Sequence, residues 1–197
     1  MRTAVAVTRF PVPEESRRTS FVGMVMALAS WTMLFAALFF AYAVLRLRAP
    51  AWPPDGLQPL PRALPFLNTL VLLASSVVLH VGVRAEAERK PGTLRRALLG
   101  TIALGSLFLG LQLAVWVPLW RSGFRIDTGT YGSIFYSLTV FHAVHVLAGL
   151  VALAVLLRGA ISGRFASGRA SAVRLSAMFW HFVGAVWIVM FVTIYLL

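Results

Sequence analysis

Cysteine is absent from the 197 residues, and Asp and Glu together number only six. Without cysteine there is no disulfide, no thiolate metal site and no cysteine nucleophile. Charged residues make up 12% of the chain, about half the share of a soluble domain. The scarcity is also segregated. Phe21–Leu45, Ala63–Val83, Ala97–Trp120, Thr128–Leu157 and Leu175–Leu197 hold no charged residue. These runs contain 123 residues, so all 24 charges fall in the other 74. A soluble core does not sort charge so completely, and a run of roughly 20 apolar residues matches the thickness of a bilayer's hydrocarbon. A membrane β-barrel would show alternating segments of about ten residues instead. The chain therefore reads as an all-α membrane protein, a bundle of five transmembrane helices. It shows no phosphate-binding glycine loop, no paired carboxylates and no metal cluster with usable spacing.

What is present in excess is positive charge, 18 Lys and Arg and a net +12. In a membrane chain such charge first sets topology, so nucleic acid is not an expected partner. The N-terminal tail and the second and fourth connections carry 13 of the 18; the first and third carry five. That places the N-terminus inside and the C-terminus outside. Residues 1–20 read as a basic cytoplasmic tail and 21–197 as a single five-helix domain. The tail arginines could touch anionic lipid, although fixing orientation already accounts for them. A first apolar run of 25 residues is too long for the core of a signal peptide. Half of the ten prolines lie in Ala49–Pro61, which predicts a stiff cap. The fourth connection, rich in Gly, Ser and Arg, reads as flexible. Helix two is expected to run on into the polar turn of Glu86, Glu88, Arg89 and Lys90.

Polar groups inside the spans are functional candidates, because hydrocarbon makes them costly. Histidine stands out: His80 on helix two, His142 and His145 three residues apart on helix four, and His181 on helix five. His145 and His181 lie at similar depth and could meet if their faces do. Three readings follow: hydrogen bonds across helices or to backbone, a bis-histidine haem site, or a proton relay, for which the spans offer no carboxylate. Asn68, Thr69, Ser75, Ser76 and Gln112 read as interhelical hydrogen-bonding groups. Gly23, Ala27, Ala148 and Gly149 would allow close helix approach. Phe35, Phe39, Phe40 and Trp187 are candidates for a subunit interface or for lipid contact. Trp52, Trp116 and Trp120 fit an aromatic belt.

Several stretches, in this order, resemble one family: SWTMLFAALFFAY at Ser30–Tyr42, WPP at Trp52–Pro54, PFLNTLVLLASS from Pro65, YGSIFYSLTVFHAVHVLAG at Tyr131–Gly149, and FWHFVGAVWIVMFVTIYLL at Phe179–Leu197. Together they look like subunit III of the haem–copper terminal oxidases. The resemblance covers nearly all of the chain after the tail and suggests a five-helix form without the first two helices of longer members. It implies a non-redox structural subunit that packs against subunit I, beside subunit II, in a bacterial cytoplasmic (inner) membrane. The whole complex would reduce oxygen and pump protons. Haem and copper would sit in the partner subunits and none in this chain, and a structural phospholipid is part of the expectation. His142, His145, His181, Trp180, Asn68 and Gln112 would be structural groups. Three family acids are missing: Trp31, Val115 and Gly184 stand where Glu, Glu and Asp are usual, which puts a proton-antenna role in doubt. Other readings are a partner of a nitric oxide reductase, a transporter or a stand-alone cytochrome. An Asp introduced at Gly184 is expected to be tolerated poorly unless a polar group lies opposite.

Overall fold

The computed structural model describes residues 14–52, 60–162 and 169–196. Among them are five helices long and apolar enough to cross a membrane: α1 (Glu14–Arg48), α2 (Ala63–Ala87), α3 (Pro91–Arg121), α4 (Thr130–Ser162) and α5 (Arg169–Phe191), the last continued by a π-helical turn, Val192–Leu196. The all-helical bundle agrees with the reading of the charge-free runs. The first thirteen residues, most of the proline-rich stretch expected to be a stiff cap (53–59) and the connection expected to be flexible (163–168) lie outside the described residues.

The helices outrun the apolar segments. α1 begins at Glu14, so the last seven residues of the basic tail already belong to it. Glu14 and Glu15 in its first turn, and Arg46 and Arg48 in its last, suit the helix dipole. α2 runs on to Ala87, as its polar end predicts. Its stop is set by backbone geometry. The N–H of Lys90 donates to Ala85 O at 2.8 Å and that of Arg89 to Glu86 O at 3.1 Å, with Arg89 left-handed at φ 57°. This is the paired closure that ends many helices, normally with glycine at the left-handed position. Pro91 then opens α3, where its missing N–H costs nothing. Across this turn Lys90 Nζ lies 2.6 Å from Glu88. The hydrogen bond and charge of that ammonium hold the Glu88 carboxyl below its ordinary range and raise Lys90 in turn. α3 ends in the same way, now with Gly123 at φ 88° and Phe124 N–H donating to Leu119 O at 3.0 Å.

α2 and α3 pack along their length, with α5 against α2 and α4 against both α3 and α5. α1 leans mainly on α4 and α5, and within it only Phe35 and Tyr42 are buried. At the far end, away from the start of α1, Trp52 stacks edge-on between Tyr42 (5.5 Å) and Tyr131 (4.7 Å), so it serves the bundle as much as an aromatic belt. The Tyr136 hydroxyl donates to Phe124 O at 2.8 Å, tying the α3–α4 connection to α4. Trp120 stays 56% exposed beneath the Arg125 guanidinium.

At the near end, Arg95 of α3 reaches the end of α4. Its Nε and Nη2 donate to Ala160 O at 3.0 and 2.7 Å. A terminal carbonyl of α4 with no acceptor role inside its own helix thus meets a cation. Arg95→Ala should lower the stability of the solubilised protein by about 1.5 kcal/mol, as expected for a hydrogen bond to a charged donor. Thermal unfolding in detergent measures this, and Arg95→Lys should recover only part of the loss.

Candidate functional site

The polar and aromatic groups meet where α5 passes α2, α3 and α4. Trp180 and Trp187 are seven residues apart, two helical turns, and so share a face of α5. Both are fully buried. An indole N–H in hydrocarbon needs an acceptor, and α2 supplies two. Trp180 Nε1 donates to Ser75 Oγ at 3.0 Å, and Trp187 Nε1 to Thr69 Oγ1 at 2.9 Å. Each hydroxyl passes its own proton to backbone of α2, Ser75 to Leu72 O at 2.6 Å and Thr69 to Pro65 O at 2.8 Å. The two hydroxyls therefore act as relays from α5 to the α2 backbone, each with its one donor used. A third link joins α2 to α3, with Asn68 Nδ2 donating to Gln112 Oε1 at 3.3 Å. All four of these α2 and α3 groups are buried.

Trp180 is also held from both faces. A Cβ added at Gly105 of α3 would lie 2.6 Å from its ring, and one at Gly149 of α4 would lie 2.9 Å from it. The indole fills a slot that exists because both helices carry hydrogen there. Gly149 thus serves the close approach expected of it. The other small residues do not: a Cβ at Gly23 meets nothing within 4 Å, Ala148 is exposed and Ala27 half-buried on the loosely packed α1. Gly105 carries no such expectation from sequence. It lies in an apolar helix among other small residues, and its partner is far along the chain.

The histidines separate. His142 is 1% exposed, its ring tilted on Trp187 at 5.3 Å and edge-on to Phe108 at 5.8 Å. Neither ring nitrogen has a hydrogen-bond partner among the described residues, so packing, not hydrogen bonding, is its visible role. His145 turns to α1: Trp31 and Phe35 stand edge-on to it at 5.4 and 5.3 Å, and its Nδ1 lies 2.7 Å from Phe141 O. His181 lies on the other side of α5, lining a cavity of about 210 Å³ with Ser76, Gly184 and Thr69. His145 and His181 therefore do not meet, and a haem bridged between them has no geometric basis. Among the described residues, no three His, Asp or Glu side chains are grouped to hold a metal ion.

The four contact candidates divide. Phe35 and Trp187 are 2% and 0% exposed and are used inside the chain. Phe39 is half-buried against the core, and Phe40, 72% exposed, points outward. Trp31 packs on Phe179 at 5.2 Å as well as on His145. Val115 is buried.

Gly184 has a polar group opposite, since a Cβ there would sit 3.5 Å from Ser76 Oγ, beside the cavity. The condition attached to an acid at this site is therefore met. Gly184→Asp should assemble normally with the carboxyl protonated or bonded to Ser76; Ser76→Ala on top of it should cost about 1–3 kcal/mol, read by thermal unfolding. In contrast, Gly105→Ala should destabilise by about 1–3 kcal/mol through overpacking against Trp180. Gly110→Ala, where a Cβ meets nothing within 4 Å, should be neutral or stabilising.

The comparisons with known proteins agree with this construction. The family model for cytochrome c oxidase subunit III matches residues 15–197. A cytochrome c oxidase subunit 3 of Synechocystis sp. is 36% identical over 176 residues, covering 89% of this chain and 74% of that protein. One from Thermostichus vulcanus is 33% identical, covering 89% of this chain and 86% of that protein. The mouse (Mus musculus) subunit 3 is 36% identical, covering 88% of this chain and 67% of its own length. The chain belongs to the cytochrome c oxidase subunit III family.

Proposed function

We propose that this chain is the non-redox structural subunit III of a bacterial respiratory haem–copper oxygen reductase. In this reading it packs against subunit I, beside subunit II, in the cytoplasmic membrane with its N-terminus inside. Haem and copper, electron transfer from cytochrome c or a quinol, and proton pumping belong to the partners. A structural phospholipid completes the assembly. The observation that carries the reading is the match of the cytochrome c oxidase subunit III family model over residues 15–197, and the histidines fit it. The buried His142 is walled by Phe108 and Trp187, and His145 is occupied by Phe141 O, Trp31 and Phe35. Contacts of this kind tie α4 to its neighbours and suit a structural role. The thin packing of α1, with Met33 76% and Phe40 72% exposed, leaves apolar surface suited to lipid or a neighbouring subunit.

Purification from membranes through a tag on this chain should bring down haem-containing subunits with oxygen-reducing activity and no nitric oxide turnover. The separated chain should show no Soret band, and His145→Ala should leave the spectrum of the complex unchanged. Recovery of the chain free of any haem–copper subunit would refute the proposal.

A further inference from the structure

Two amides meet between α2 and α3 with only one bond made. Asn68 Nδ2 donates to Gln112 Oε1 at 3.3 Å, longer than the usual length of about 2.9–3.0 Å. Asn68 Oδ1 and Gln112 Nε2 have no hydrogen-bond partner among the described residues, and both residues are buried. The orientation given to the amides does not remove this deficit. Turning both side chains over restores a single bond with the atoms exchanged, and again leaves an NH2 group and a carbonyl oxygen unmet. Turning over one of them removes the bond altogether.

Tyr195 comes to the same place from the end of α5. An ideal α-helix would carry residue 195 about 80° round from Trp187. The π-helical turn Val192–Leu196 winds more slowly, through bonds to the fifth residue. It brings Tyr195 back over Phe191, on which its ring stacks at 5.9 Å. The Tyr195 hydroxyl is buried, interacts with Gln112 and closes no hydrogen bond in this geometry. Such turns are frequent at functional sites. An acceptor from α2, a donor from α3 and a hydroxyl that can play either part thus converge, all unmet in a setting where unmet polar groups are costly. The Trp187 N–H does not compete for them, since Thr69 already holds it.

We propose that Asn68, Gln112 and Tyr195 hold one water molecule inside the bundle. The water donates to Asn68 Oδ1, accepts from Gln112 Nε2 and makes its third bond with the Tyr195 hydroxyl. Buried water typically makes about three such bonds to groups that are otherwise unsatisfied. The chemistry of the three groups selects it: they carry no net charge to hold an ion, and they call for a ligand that both donates and accepts. The long, unbranched Gln112 side chain swings to admit it. The water completes the link between α2 and α3 and pins the last turn of α5 to it, so that three helices share one ligand at the far end of the bundle. The site belongs to the fold of this chain and does not depend on the proposed partners.

The test is cryo-electron microscopy of the purified complex, at a resolution that shows ordered water, for the natural chain and two variants. A peak should lie within about 3.2 Å of Asn68 Oδ1, Gln112 Nε2 and Tyr195 Oη. Asn68→Leu with Gln112→Leu should lose it. Tyr195→Phe keeps the ring and its packing, and there the peak should weaken while staying on the two amides. If the double Leu variant does not assemble, the maps of the natural chain and of Tyr195→Phe decide the matter. The site is overturned if the natural chain shows Tyr195 Oη bonded directly to Gln112 with no peak beside the amides. A peak that persists in the double Leu variant, or one unchanged in Tyr195→Phe, overturns it equally.

Discussion

Lipid tails are as apolar as leucine, so within a bilayer the burial of leucine against leucine gives helices no reason to prefer one another. What remains is close contact and hydrogen bonding across helices, and in this chain both converge on the Trp180 indole. It lies between Gly105 and Gly149 while its N–H engages Ser75, so one side chain of α5 touches α2, α3 and α4 together. Trp187 repeats the bond two turns further along, on Thr69, and backs His142 and Phe108. Rotating α5 by one residue would leave two indole donors unmatched in hydrocarbon. The register of α5 is thus set by polar pairs, and the glycine slot sets how near it can come.

The same logic explains why α1 differs. No buried side-chain hydrogen bond like those of Trp180 and Trp187 is seen from it to another helix among the described residues. Its Ser30 and Thr32 hydroxyls turn back to Met26 O and Leu28 O. Contact with α4 and α5 comes from the edges of aromatic rings, Trp31 and Phe35 on His145 and Trp31 on Phe179. Such contacts are weaker and less directional than the α2–α5 bonds. A helix held in this way depends on whatever covers its outer face.

The spans were legible because charge is excluded from hydrocarbon, and that constraint acts on each residue without reference to the fold. The ends were less so. α1 starts seven residues before its apolar run and α3 six residues before its own, since Glu, Arg, Ser and Thr can be helical wherever water is near. The stop of α2 was obscured by Arg89 in a left-handed position that sequence signals assign to glycine. At the site, Asn68 and Gln112 were recognisable as polar groups with nowhere else to go. The faces of the histidines were not legible: a spacing of three places two side chains near one another on a helix, but about 60° apart around it, enough for His142 to face α3 and α5 while His145 faces α1. Gly105 was invisible because a slot is a property of two surfaces, and its occupant lies on another helix.

Synthesis delivers α5 after α1 to α4. Until it arrives, the groove formed by Ser75, Thr69, Gly105 and Gly149 stands open to lipid, with hydroxyls that have no indole to receive. Insertion of the fifth helix is therefore the closing step of the bundle, and a chain cut short before Trp180 keeps four spans without the piece that gives them a common fit.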